Sequence, residues 1–304
     1  IASMLDWLIP GAHRQSPFYF KDRTVLITGA SGGLGEGLAR ELYKRGARLI
    51  LVARSVVKLK ELCDELMKSG VGHEPVYSYL DLSAPENVED LVRLSHNGKI
   101  DCLINNAGIS IRGSVVETDL SVQRRVMEVN YFGQITLTRT LLPFIPNDGS
   151  IVVISSMMGK VSLPYRSAYT ASKHALQICP CLFIHMRSVF YAFFDSLRTE
   201  ERFGLHILVV SAGYIATDLG NNVISALDPS GNPTGITGSE TASGYTVEEA
   251  AIKISDATER READYMMAPF GIRIGVLLRY LWPNLYFYMV WKRQMWQMEA
   301  AKKQ

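Results

Sequence analysis

A chain of 304 residues, 47% of them hydrophobic, can bury one sizeable core, and α/β chains of this length fold as single domains. Its formal net charge of +2 comes from interspersed Lys and Arg with no basic block, which excludes nucleic acid as a partner on electrostatic grounds. Four scattered cysteines (Cys63, Cys102, Cys179, Cys181) make no disulfide framework and suit a reducing compartment; six histidines show no H-E-x-x-H or His/Cys ligand spacing, so no metal site is expected.

The first ten residues, IASMLDWLIP, are apolar apart from Ser3 and Asp6. They are too few to span a bilayer, which takes about 20 apolar residues, and they carry no signal-peptide cleavage pattern. Residues 1–22 are expected as a leader, either lying on the surface or remaining from a truncated membrane anchor.

From Thr24 onward, short β-branched runs alternate with longer helical patterns: TVLIT, a helix from Leu34 to Arg45, RLILVA, a helix from Val57 to Lys68, VYSYL and DCLIN. A helix from Val122 to Leu142, SIVVISS, a helix from Ser167 and LHILVVS continue the series. Strict alternation at this spacing predicts parallel strands covered on both faces, and right-handed crossovers favour a doubly wound sheet. The expected fold class is α/β: a Rossmann-type doubly wound parallel sheet of about seven strands with helices on both faces, over residues 23–269. Ligands of such sheets bind just beyond the strand ends.

Thr28-Gly29-Ala30-Ser31-Gly32-Gly33-Leu34-Gly35 occupies that position after the first strand. Its glycines let the backbone approach a pyrophosphate, whose charge suits the positive N-terminus of the following helix. The spacing T-G-x-x-x-G-x-G differs from the G-x-G-x-x-G of other dinucleotide folds and resembles the short-chain dehydrogenase/reductase family. Thr28, Gly29, Ser31, Gly33, Leu34 and Gly35 are the cofactor-binding candidates it supplies.

The second strand ends in Arg54 and Ser55, without the Asp or Glu that would accept from a free ribose 2′-hydroxyl. A guanidinium suits a 2′-phosphate, so NADP, with NADPH preferred over NADH, is the expected cofactor; the other reading of Arg54 is a solvated residue after a strand. Asp81 and Leu82 match the family's adenine-contacting pair, and Asn105-Asn106-Ala107-Gly108 its N-N-A-G motif. The resemblance implies that Asp81, Leu82, Asn106, Ala107 and Gly108 line the cofactor.

Tyr169 and Lys173, at i and i+4, share one helix face, and a cation beside a phenol favours phenolate and lowers a pKa that is ordinarily about 10. A lone Y-x-x-x-K is common by chance. Here Ser156 closes the strand SIVVISS thirteen residues before Tyr169, and Asn130 lies in the preceding long helix. These four match the family's Asn, Ser, Tyr and Lys tetrad in order and spacing. That implies Ser156 polarises the substrate oxygen, Tyr169 transfers the proton, Lys173 anchors the nicotinamide ribose, and Asn130 helps carry protons through water. Ser211-Ala-Gly-Tyr-Ile215-Ala-Thr217 resembles the family's P-G-x-I-x-T turn, in which Ile215 and Thr217 would hold the carboxamide; Ala212 departs from the usual Pro. His174, about 100° round the helix from Lys173, reads as structural.

NNAGISIRGS, VNYFG, SSMMGKVSLPYRSAY and AFFDSLRTE resemble the family's membrane-associated branch, near 11β-hydroxysteroid dehydrogenase and acyl/alkyl-dihydroxyacetone-phosphate reductase. The branch implies an NADP-dependent oxidoreductase interconverting carbonyl and alcohol on a small lipophilic substrate, such as a steroid, retinoid or lipid precursor. It also implies a membrane surface, at the endoplasmic reticulum or peroxisome rather than in free cytoplasm, and a homodimer.

One segment departs from the branch. Ile178 to Tyr191, ICPCLFIHMRSVFY, interrupts a helix that in the family runs on from SKHALQ into AFFDSLRTE. Pro180 would remove a helical hydrogen bond and clash with the Leu176 carbonyl, so the helix should kink or break soon after Gln177. A gene-model error, a natural isoform with altered assembly and a membrane-touching element all fit the insert. It sets against the enzyme an alternative reading, a disabled cofactor-binding isoform, and it bears on dimerisation.

Tyr214 to Tyr245, rich in Gly, Ser, Thr, Asn and Pro, reads as a long substrate-covering loop. Thr246-Val-Glu-Glu249 is an N-cap with Glu at the third helical position, and ADYMMAP a seventh strand. Beyond it, residues 270–304 are apolar and aromatic but interrupted by Arg273, Arg279 and Pro283. An interfacial segment with a Trp/Tyr belt and basic anchors is one reading, a C-terminal helix packed on the subunit the other.

Overall fold

The structure, a computed structural model, describes residues 16–70, 72–176, 193–200, 204–217, 224–225 and 244–301. The first 15 residues, the Ile178 to Tyr191 segment and most of the expected covering loop lie outside them.

In chain order the elements are β1 (Thr24–Thr28), α1 (Gly33–Lys44), β2 (Arg48–Ala53), α2 (Val56–Lys68), β3 (Val76–Tyr79), α3 (Asp90–Arg93) and β4 (Cys102–Asn105). There follow β5 (Ile111–Arg112), α4 (Leu120–Met127), α5 (Gly133–Leu141), β6 (Ser150–Ser156), α6 (Ser167–Leu176) and α7 (Phe193–Thr199). The last are β7 (His206–Ala212), β8 (Ile224–Ser225), α8 (Val247–Glu259), β9 (Asp264–Met267), α9 (Phe270–Leu281) and α10 (Pro283–Ala301).

Seven of the strands form one parallel sheet in the order β3-β2-β1-β4-β6-β7-β9. Side chains of a strand alternate between faces, and both faces are apolar here because helices cover both. Val25 and Ile27 of β1 pack with Leu38 and Leu42 of α1 and Ile254 of α8. Leu26 between them packs with Leu137 and Leu141 of α5 and Phe194 and Leu197 of α7. Phe18 and Phe20 are buried in the first of these layers, so chain preceding β1 already belongs to the core. Strand order reverses between β1 and β4, which opens a crevice at the carboxyl ends of the strands.

Three features differ from the sequence expectation or add to it. The single helix expected from Val122 to Leu142 is α4 and α5 joined by a π-helical turn, Glu128–Phe132. Such turns occur mostly as single interruptions of α-helices, frequently at functional sites, and this one contains Asn130. The two-residue strands β5 and β8 pair beside the crevice, which no periodicity could announce. Thr246 and Glu249 form the expected reciprocal capping box at the start of α8.

The C-terminal segment is two helices, broken at Trp282 with Pro283 opening the second, where its missing N–H does no harm. Among the described residues no helix is long and apolar enough to cross a membrane. Val276 and Tyr286 pack against Met157 and Val161, just beyond β6. The Tyr280 and Tyr286 hydroxyls donate to the carbonyls of Lys160 and Ser162, each at 3.0 Å. Lys160, 1% exposed, is held by Asp264 of β9 at 2.9 Å. The outer side of the pair leaves Phe270, Leu277, Trp282, Trp291 and Trp296 exposed. One face thus packs on the domain, and the other is exposed.

Candidate active site

The crevice is a cleft of about 1060 Å³. One end is formed by the glycine turn, the middle by Ser156, Tyr169 and Lys173, and the far wall by Ile272, Leu278, Met289 and Val290 of the C-terminal helices.

At the glycine turn, Gly29 and Gly33 have φ of 67° and 54°, in the left-handed region that side chains disfavour. A Cβ on Gly29 would lie 2.9 Å from the Ala107 Cα, and one on Gly35 would strike the Gly29 carbonyl oxygen and lie 2.6 Å from the Asn106 amide nitrogen. The turn is therefore a cradle of bare backbone at the opening of α1, which fits a pyrophosphate. We expect Gly35→Ala to displace the turn and weaken dinucleotide binding by more than tenfold without unfolding the chain, as read by fluorescence titration beside a thermal melt.

Thr28 and Asn106 line the cleft but direct their side chains into the protein. The Thr28 hydroxyl donates to the Ile104 carbonyl and accepts from the amides of Asn106 and Ala107, at 2.9 and 3.0 Å. The Asn106 amide donates to the carbonyls of Thr28 and Gly29, at 2.9 and 3.4 Å. They shape the turn rather than offer it polar side-chain atoms. Ser31, Leu34, Ala107 and Gly108 line the cleft directly. Ile215 and Thr217 face the turn from the opposite side, with Thr217 Cβ 3.3 Å from where a Cβ on Gly33 would stand.

Arg54, Ser55, Asp81 and Leu82 all line the cleft, joined by Lys58, Arg125 and Val129. Burial alone would raise the Asp81 carboxyl, but hydrogen bonds from the Ser83 amide and hydroxyl, with Arg54 and Arg125 close by, hold it below its ordinary value. Sequence reading missed Lys58 and Arg125. Lys58 stands in the first turn of α2, close in sequence to Arg54, and that proximity was the signal for it; Arg125 reaches the cleft only because α4 crosses it.

Tyr169 is buried and hydrogen-bonded to Ser156, whose hydroxyl also accepts from the Met158 amide at 3.2 Å. The Lys173 ammonium donates to the Ile154 carbonyl at 2.9 Å and stands 5.8 Å from the centre of the Tyr169 ring. Burial pushes Lys173 down to about 8. Burial also raises the Tyr169 phenol above its ordinary value, outweighing the opposing effects of Ser156 and of Arg166 nearby. This corrects the expectation that Lys173 lowers that phenol: desolvation dominates, and the cation that opposes it is Arg166, which the sequence reading passed over.

Asn130 is fully buried, with its side chain committed. Its amide donates to the Ile109 carbonyl at 2.9 Å and the Ser172 hydroxyl at 3.0 Å, and its oxygen accepts from the Ile109 amide at 2.8 Å. The π turn thus ties the segment after Gly108 to α6, which carries Tyr169 and Lys173. The His174 ring is bonded to the Thr170 carbonyl at 2.9 Å, which is a structural role. Among the described residues no group of His, Cys, Asp or Glu could hold a metal ion.

Comparison with known proteins identifies the family and the fold. A family profile described as short chain dehydrogenase matches residues 23–181. The chain is 41% identical over 276 residues to dehydrogenase/reductase SDR family member 7B of Danio rerio, covering 88% of this chain and 84% of that one. The same protein of Mus musculus is 39% identical over 280 residues, covering 90% and 81%. Among solved structures, a short-chain dehydrogenase from Sphingobium yanoikuyae in complex with NADPH matches with a TM-score of 0.63 and 25% identity, over 84% of this chain and 92% of that one. A short-chain dehydrogenase/reductase from Burkholderia phymatum in complex with NAD has a TM-score of 0.70 at 23% identity, over 86% and 94%, a likeness of fold.

Proposed function

The chain belongs to the short-chain dehydrogenase/reductase family, and on that premise we propose that it is an NADP-dependent oxidoreductase interconverting carbonyl and alcohol on a lipophilic substrate at a membrane surface. The observation that carries this reading is the continuity of one cleft, from a backbone cradle through a buried Tyr-Ser pair to an apolar wall.

The nicotinamide cofactor supplies or takes the hydride when bound. The glycine turn would hold its pyrophosphate, Arg54 and Ser55 its adenosine ribose, Asp81 and Leu82 its adenine, and Ile215 and Thr217 its carboxamide. Tyr169 gives a proton to the carbonyl oxygen in reduction and receives one in oxidation. Ser156, already bonded to the phenol, orients that oxygen. Lys173 would donate to a ribose hydroxyl of the bound cofactor, and Asn130 positions α6, its side chain being taken by Ile109 and Ser172.

Support for a lipophilic substrate is the wall of Ile272, Leu278, Met289 and Val290. Support for a membrane surface is the exposed Trp282, Trp291 and Trp296, with Arg273, Arg279 and Lys292 interspersed, a composition suited to a headgroup interface. NADPH and NADH oxidation across a panel of lipophilic ketones, with liposome flotation of the chain, tests both parts. Absence of turnover in a folded, NADPH-binding sample would overturn the catalytic part. Turnover regained on deleting residues 178–191 would favour the disabled-isoform reading instead.

A further inference from the structure

The geometry points to Lys58 and Arg125 as specificity residues that, with Arg54, enclose the ribose 2′-phosphate of the cofactor from two walls of the cleft. The inference rests on the NADP reading above and extends it to residues that reading does not use.

Arg54 follows β2 and Lys58 lies in the first turn of α2, which begins two residues later, so both approach from the same wall. Arg125 comes from the last turn of α4, on the far side of β4 in the chain. All three line the adenosine end of the cleft with Asp81 and Leu82. Arg54 and Arg125 both lie within electrostatic reach of the Asp81 carboxylate, which lines the cleft beside them.

Arginines elsewhere on the domain such as Arg40 and Arg45 are engaged, the first with Glu36 and Glu65, the second with Glu41, Asp256 and Glu259. Among the described residues Arg54, Lys58 and Arg125 have no hydrogen bond or ion pair within 4 Å. Asp81 is the only described carboxylate lining the cleft, and its Oδ1 already accepts from both the amide and the hydroxyl of Ser83. At this end of the cleft, three cations against one carboxylate leave a local surplus of two positive charges. A phosphate monoester carries about −1.5 to −2 at neutral pH and presents three acceptor oxygens, which matches that surplus in charge and in donor demand. A free 2′-hydroxyl would match neither.

Calorimetric binding of adenosine 2′,5′-bisphosphate and of adenosine 5′-monophosphate to the full chain separates the 2′-phosphate from the rest of the cofactor. Hydrogen bonds to charged groups contribute about 1.5–3 kcal/mol, and 1.4 kcal/mol is tenfold in affinity. Arg125→Gln and Lys58→Gln are each expected to weaken the bisphosphate about tenfold and the monophosphate less than twofold, with Arg125→Lys restoring most of the loss. Equal weakening of both ligands would overturn the assignment. So would selectivity lost in Arg54→Gln but kept in Arg125→Gln and Lys58→Gln, an outcome that leaves the NADP reading standing. If the unaltered chain binds both ligands equally, the NADP reading itself falls, and this inference with it.

Discussion

Tyr169→Phe is expected to lower kcat/KM for carbonyl reduction by about 10²–10⁴-fold, the range associated with a positioned general acid. The variant should fold and bind dinucleotide as before. The phenol ring is buried among Ile111, Val122 and Ala168, and that packing survives loss of the hydroxyl. What disappears is the phenol hydroxyl hydrogen-bonded to Ser156 at the middle of the cleft. Steady-state kinetics beside fluorescence titration with NADPH checks the pair. Unchanged turnover would remove Tyr169 from the chemistry, and lost binding would mean that the hydroxyl shapes the site rather than acting in it.

Lys173→Met should move activity and stability in opposite directions. The lysine has an ordinary pKa of 10.5 and is pushed down to about 8 by burial. Below pH 8 the folded chain therefore holds a desolvated charge that the unfolded chain keeps in water, which costs the fold about 3 kcal/mol. The cost fades as pH rises from about 8 to 10.5, because in that window the unfolded state binds the extra proton. Methionine removes the charge but orphans the Ile154 carbonyl, a loss of about 1–3 kcal/mol. A net gain of about 1 kcal/mol at pH 7 is expected, shrinking and reversing above pH 10, as read from denaturant midpoints. Cofactor affinity and turnover should both fall. A variant equally active, or destabilised at pH 7, would contradict the account of a charge buried for function.

The two lysine states also bear on how the site works. Half of an ensemble with that pKa has lost the proton near pH 8, so cofactor binding that depends on the ammonium should weaken on the alkaline side. Tyr169, raised by burial, stays protonated across neutral pH and is ready to donate.

The sheet and the chemistry were legible because both are written in local spacing. Alternating apolar runs such as TVLIT and SIVVISS became β1 and β6, and Tyr169 and Lys173 share a helix face by simple periodicity. The glycine turn was legible for the same reason, since φ above zero at Gly29 and Gly33 requires that residue type. Interactions between distant segments were not. That Asn130 would sit in a π turn, with its amide taken by Ile109 and Ser172, depends on residues 21 and 42 positions away. That Tyr169 would have a raised pKa depends on burial, which a Y-x-x-x-K spacing does not encode. Arg125 needed the crossing of α4 over the cleft, and Met289 and Val290 needed the fold-back of α10 through Tyr280 and Tyr286. The apolar tail looked from sequence like a choice between packing and exposure, whereas its two faces do different things.

Transfer of label tests the central claim most directly. Incubation with NADPH deuterated at the nicotinamide C4, on each face in turn, and a lipophilic ketone should place deuterium on the carbinol carbon from one face only. Mass spectrometry of the alcohol would detect it, and Tyr169→Phe should slow its appearance by the same factor of about 10²–10⁴. Saturating NADPH binding with no deuterium in any product would contradict the account and leave a dinucleotide-binding protein that does not catalyse hydride transfer.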